Sequence, residues 1–160
     1  MHRRPWIALV PFAAALVLGA CASTPAPVTV AQTIAANPQL TTASRLIREA
    51  GLTDTLEGAG PFTVFVPDDT AFRAVPPAMV DALGKDKVRL KAVLNYHVVP
   101  AALASGDIRN GSVKTSQGGE LSLYRAGGFV TADEAVVTTA DVRASNGVVH
   151  IVDKVLMPPR

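Results

Sequence analysis

The stretch from Asn146 to Leu156 restricts the fold more than any other part of the chain. Six of the nine residues after Gly147 are Val, Ile or Leu, and β-branched side chains of this kind suit a pleated strand. Val148 to Val152 is apolar on both alternating faces, so the strand is expected to be buried on both sides. Asn146-Gly147, just ahead of it, reads as a tight turn with positive φ. One polar ring, His150, interrupts the apolar run. A buried ring nitrogen without a partner costs about 1–3 kcal/mol, so His150 is read as a satisfied core histidine.

The rest of the mature chain divides in two. In its first half the apolar spacing is helical. Val30 to Ala36 forms a short helix stopped by Asn37-Pro38. Leu40, Ala43, Ile47 and Ala50 line one face of a second, with Gly51 as its C-terminal stop. Asp54 to Gly60 reads as a turn region. Then Pro61 to Pro67 is a proline-bracketed strand, and Asp68-Asp69 directly after it is suited to cap a new helix carrying Phe72 on its apolar side. Ala78 to Leu83 and Lys87 to Asn95 are helical again, and His97 to Val99 is extended. From Asp107 onward, Asn110-Gly111, Gly118-Gly119, Gly127-Gly128 and Asn146-Gly147 punctuate the strands of an antiparallel meander. Helices first and strands second make an α+β domain, not the alternating βαβ of a nucleotide-binding sheet. A hydrogen-bond partner for His150 is expected in the segment from Thr63 to Asp69, joining the last strand to the first.

The N-terminus reads as an address. Arg3 and Arg4 precede an uncharged apolar run from Ile7 to Ala20, which has signal-peptide length and is short for a membrane span. It ends in Leu18-Gly19-Ala20-Cys21, which resembles the lipobox of bacterial lipoproteins. The resemblance implies cleavage after residue 20, acylation of Cys21 and stable anchoring by several chains. Ala22 after the cysteine implies sorting to the outer membrane of a Gram-negative envelope. Residues 21–27, small and Pro-containing, form a tether, and residues 28–160 form a single folded domain.

Charge and motif content exclude several classes. Of the 15 Lys and Arg, two are Arg3 and Arg4; the other 13 match the 13 Asp and Glu. The domain has no electrostatic footprint for nucleic acid. Cys21 is the only cysteine, which rules out an internal disulfide or a Cys-based metal site. No Gly-x-Ser-x-Gly elbow accompanies the serines, and no His-Glu-x-x-His or clustered ligand set is present. The glycine pairs precede strand-like runs, whereas a phosphate loop needs a helix N-terminus. No cofactor or metal is expected.

Thr63-Val64-Phe65-Val66-Pro67-Asp68-Asp69-Thr70-Ala71-Phe72 resembles the first signature of the fasciclin (FAS1) domain, and Asn146 to Leu156, with Asn146, Gly147 and His150, resembles the second. Tyr96-His97, followed by Val98-Val99-Pro100, matches the family's Tyr-His pair. Asp68 departs from the pattern, which more often has Thr there, but either residue caps a helix. The resemblance implies a β-sandwich or wedge of about seven strands with several helices packed on one side. It also implies adhesion or extracellular protein contact instead of catalysis. In animal matrix members the adhesive determinants lie at positions that read here Tyr96, His97, Asp141 and Val142.

The sequence therefore predicts a non-catalytic, lipid-anchored interaction module of the cell envelope. Its partner would be an envelope or extracellular protein, with weak self-association as a further expectation. His97 is expected to be partly exposed. A second reading, a carrier of an apolar lipid or pigment, is motivated by the mean hydropathy of +0.29.

Overall fold

A computed structural model describes residues 28–159. The signal segment, Cys21 and the tether lie outside the described residues.

The first half is helical: α1 (Val30–Ala36), α2 (Thr41–Glu49) and α3 (Thr53–Glu57) precede β1 (Phe62–Pro67), and α4 (Asp69–Ala74), α5 (Pro77–Lys85) and α6 (Lys87–Tyr96) follow it. Local chemistry explains most boundaries. Thr29 and Gln32 close a reciprocal capping box on α1, and Gly51 takes φ +68° just beyond α2, where a side chain would be strained. The expected turn at Asp54 to Gly60 is instead partly the one-turn helix α3, because Leu56 is buried against the core. His97 has helical backbone (φ −78°, ψ −8°) as the cap of α6, so the extended segment begins one residue later than expected.

The second half supplies β2 (Val98–Val99), β3 (Gly111–Lys114), β4 (Glu120–Ala126), β5 (Phe129–Ala132), β6 (Ala135–Ala144) and β7 (Gly147–Val152). All seven strands join one sheet in the order β2-β1-β7-β6-β5-β4-β3. The meander from β3 to β7 is antiparallel, as expected. β1 joins it in parallel beside β7, with Phe62 opposite Gly147 and Pro67 opposite Val152. Both signature segments thus lie side by side as interior strands of the sheet, between β2 and β6.

The alternation along β1 and β7 builds two cores. Val64, Val66, Val149 and Ile151 face the helices and pack with Leu46, Leu90 and Val93. Phe65 and Val152 face the other way and pack with Leu121, Leu123 and Val130 from β4 and β5. The far half of the sheet must therefore fold back over the near half, which makes the wedge. The Ser116 amide donates to the Val98 carbonyl at 2.7 Å, linking the far rim to the near one.

The turn ahead of β7 differs from expectation. Ala144 pairs with Gly147, so the two loop residues are Ser145 and Asn146, and neither Asn146 nor Gly147 takes positive φ. Glycine is required at 147 for closeness: a Cβ there would collide with the Phe62 carbonyl.

Candidate functional site

His150 is fully buried, and its partners fix its tautomer. Nε2 lies 2.8 Å from the Leu103 carbonyl, which can only accept, so Nε2 carries the proton. Nδ1 accepts the Asp141 amide at 3.2 Å. Neither partner belongs to the Thr63–Asp69 segment, contrary to expectation. Backbone groups of β1 are engaged in the parallel ladder, and the ring points to the opposite core, where residues 101–105 lie against it. Its contact with β1 is a stack on Phe65, with centroids 5.3 Å apart. Thr63 reaches the same loop, donating to the Ala101 carbonyl at 2.6 Å and accepting the Leu103 amide at 2.8 Å.

Asp141 sits at a bulge of β6 with φ +59°, a conformation Asp tolerates better than most residues. That twist turns its amide onto His150 and its carboxylate onto Ser105, which donates from both N (2.7 Å) and Oγ (2.5 Å). These hydrogen bonds hold its carboxyl below the usual range. A hydroxyl, an acid and an imidazole are thus adjacent, but in the wrong order for nucleophilic catalysis. In a catalytic triad the imidazole lies between the hydroxyl and the acid. Here Ser105 meets the acid directly, and both ring nitrogens of His150 are occupied by backbone groups.

Tyr96 and His97 are buried as well, which corrects the expectation of a partly exposed His97. Its Nδ1 donates to the Val93 carbonyl at 2.8 Å, and its Nε2 accepts the Leu156 amide at 3.0 Å. Burial lowers its pKa to about 4. His97 and His150 are therefore held neutral in opposite tautomers. The Tyr96 hydroxyl faces the Asp133 carboxylate (2.8 Å) and the Glu120 carbonyl (2.9 Å), and burial together with Asp133 pushes its pKa up. Asp133, itself at φ +49°, also accepts the Ser122 amide. Sequence reasoning missed this residue; an Asp between two predicted strands was the available signal.

The remaining signature residues are structural joints. Asp68 caps α4 through the Ala71 amide at 2.6 Å, as expected, and Phe72 is buried in the helical core. Asp69 was expected to cap that helix too. Its carboxylate instead accepts Thr41 Oγ1 (2.6 Å) and the Thr42 amide (2.8 Å), at the start of α2, whose own cap position is Leu40. Burial opposes ionisation of Asp69, but these bonds outweigh it and lower its pKa. Asn146 accepts the Val30 amide and donates to the carbonyls of Leu56 and Gly58, all within 2.8 Å.

Among the open grooves on the described surface, two are lined by positions expected at the contact. One, of about 520 Å³, is lined by Ala102, Ala104, Asp107, Asp141, Arg143 and Ser145. The other, of about 690 Å³, is lined by Tyr96, Glu120, Tyr124, Asp133, Glu134 and Met157, among others. Tyr96 and Asp141 therefore belong to different grooves. Val142 packs partly buried against the helical core. An apolar space of about 30 Å³ lies in that core. Among the described residues, no three His, Cys, Asp or Glu converge as metal ligands, and no helix is long and apolar enough to cross a membrane.

An α+β wedge with its imidazoles locked into the framework is the class of protein that this geometry defines. Residues 38–158 match the family model of the fasciclin domain, and the chain belongs to the fasciclin family. It is similar to protein sll1483 of Synechocystis, 36% identical over 140 residues that cover 86% of this chain and 78% of that protein. It is also similar to the cell surface glycolipoprotein MPB83 of Mycobacterium bovis, 36% identical over 128 residues, 77% of this chain and 57% of MPB83. Among solved structures, a FAS1 domain pair from the insect cell adhesion molecule fasciclin I superposes with a TM-score of 0.73 at 18% identity, over 81% of this chain and 51% of that one. That likeness is one of fold alone.

Proposed function

We propose that the protein is a non-catalytic adhesion or interaction module, anchored to the cell envelope by lipid on Cys21, that contacts a protein partner through its outer surface. The observation that carries this reading is the use made of its chemical groups. His97, His150, Asp141 and Ser105 have their hydrogen-bonding atoms engaged within the fold, and the open surface is grooved. Membership of the fasciclin family, and a relative described as a cell surface glycolipoprotein, support the location. Of the four positions expected at the contact, Asp141 is exposed and Val142 half-buried. Tyr96 and His97 act from beneath, Tyr96 by fixing the floor of a groove.

The carrier reading has one physical foothold, the apolar space in the helical core. Its volume of about 30 Å³ is no more than the space of one water molecule, against roughly 300–1,000 Å³ for a small-molecule site. The adhesion reading is therefore preferred.

The test is fractionation and binding together. The native chain should sediment with membranes and bind envelope or cell-surface preparations, and Cys21→Ala should shift it to the soluble fraction. A Cys21→Ala chain still found with membranes overturns the anchor, and a native chain that binds no surface overturns the adhesive role.

A further inference from the structure

The larger groove has a place, a charge and an apolar anchor. Its place follows from the strands. The chain enters the domain at Val28, whose carbonyl accepts the Ser145 amide beside the β6–β7 turn. Lys154 lies just past the other end of β7, so the six residues of that strand put roughly 20 Å between the entry and the groove. Glu134 sits at the same far end, in the β5–β6 turn. A seven-residue tether, residues 21–27, spans at most about 25 Å, so an anchored domain is held by its entry pole. The groove lies at the opposite pole, away from the point of attachment.

Its charge is acidic. Among the described residues that line it, Glu120, Asp133 and Glu134 stand against one cation, Lys154. Asp133 is rigidly held by Tyr96 and Ser122, whereas Glu120 and Glu134 are exposed. Between them stand two apolar anchors: Tyr124 is 56% exposed and Met157 38%. Tyr and Met are among the side chains enriched at protein–protein interfaces.

We infer that this distal groove receives a segment of a partner protein presenting a lysine or arginine next to an apolar side chain. The cation would lie between Glu120 and Glu134, and the apolar side chain against Tyr124 and Met157. This inference rests on the adhesion reading for its biology, but the groove can be tested separately. Charge complementarity selects the occupant and steers its approach.

The experiment uses the full chain in neutral detergent and a five-residue peptide alternating lysine and valine, with its glutamate counterpart as control. The lysine peptide should bind and the glutamate peptide should not. Binding should weaken as salt is raised, because exposed charges are screened. The double variant Glu120→Gln/Glu134→Gln should weaken it roughly fivefold, Tyr124→Ser should also weaken it, and Asp107→Asn in the other groove should leave it unchanged. Equal binding of the two peptides, or no loss in the double variant, overturns the inference. In the surface-binding assay, a native chain that binds and a double variant that does not supports it. Equal binding by both overturns the groove while leaving the adhesion reading in place. If the native chain binds no surface, the adhesion reading fails and the peptide result alone decides the groove.

Discussion

Thr63 and His150, 87 positions apart in the sequence, grip Leu103 from opposite sides. Thr63 Oγ1 accepts its amide and His150 Nε2 donates to its carbonyl, each at 2.8 Å. The two signature segments are thus tied by ladder pairing along β1 and β7 and, beyond that, by a shared hold on one loop residue.

Replacing Thr63 with Val keeps the shape and removes the hydroxyl. The partly buried Leu103 amide then loses its acceptor, which should cost about 1 kcal/mol, the low end of the range for an unmade hydrogen bond. His150→Ala should cost at least as much, since the stack on Phe65 goes too. Because both act on one loop, the double variant should lose less or more than the sum of the singles, with a coupling of about 0.5 kcal/mol or more. Urea unfolding midpoints check this, and strict additivity would refute the shared hold.

Stability should fall as the medium is acidified below about pH 6.5. The ordinary histidine pKa is 6.5 and that of His97 in the fold is about 4. Between those values the unfolded chain binds more protons than the folded one, so stability rises with pH across this window. It is fully present above 6.5 and is lost progressively toward 4, by up to about 3 kcal/mol for this residue. His150 is shifted in the same direction by burial. The lowered pKa values of Asp69 and Asp141 add a further loss below the usual carboxylate range. A melting temperature that stays flat from pH 7 to pH 4 would contradict the neutral, locked rings.

Asp68 and Asp69 are neighbours that serve different helices. Asp68→Ala should uncap α4 and Asp69→Ala should uncap α2, each for about 1 kcal/mol. Hydrogen exchange separates them: Asp69→Ala should speed exchange at the Thr42 amide, and Asp68→Ala at the Ala71 amide. The same amide responding to both substitutions would count against this division.

Gly147→Ala should destabilise by about 2–4 kcal/mol, because the added methyl meets the Phe62 carbonyl within the parallel β1–β7 pair. Gly106→Ala, where a Cβ has open space, should change little. Similar thermal shifts for the two would show that β1 and β7 are not so closely apposed.

What the sequence made readable was whatever depends on near neighbours. The strand from Gly147 to Val152, the cap at Asp68, the helix stop at Gly51 and the order of helices before strands all follow from spacing within a few residues. The joints did not. Asp69 caps a helix 27 residues upstream, and Asn146 holds Val30 from 116 residues away. Propensity carries no record of such pairings. The same limit explains His150: its burial was legible from its flanking valines, but its partners lie on a loop and a bulge whose positions depend on the whole sheet. Tyr96 and His97, matched as a pair, proved to face different neighbours and to lie under the surface.

The link from Ser116 to Val98 has a consequence for copies of the domain crowded together. The sheet's two outermost strands contain only two and four residues, and this link draws them toward each other. Strangers seeking to extend the sheet find little continuous backbone to copy. Crowded copies can therefore jostle side to side without zipping into fibrils, and any attachment between them must use the faces of the wedge.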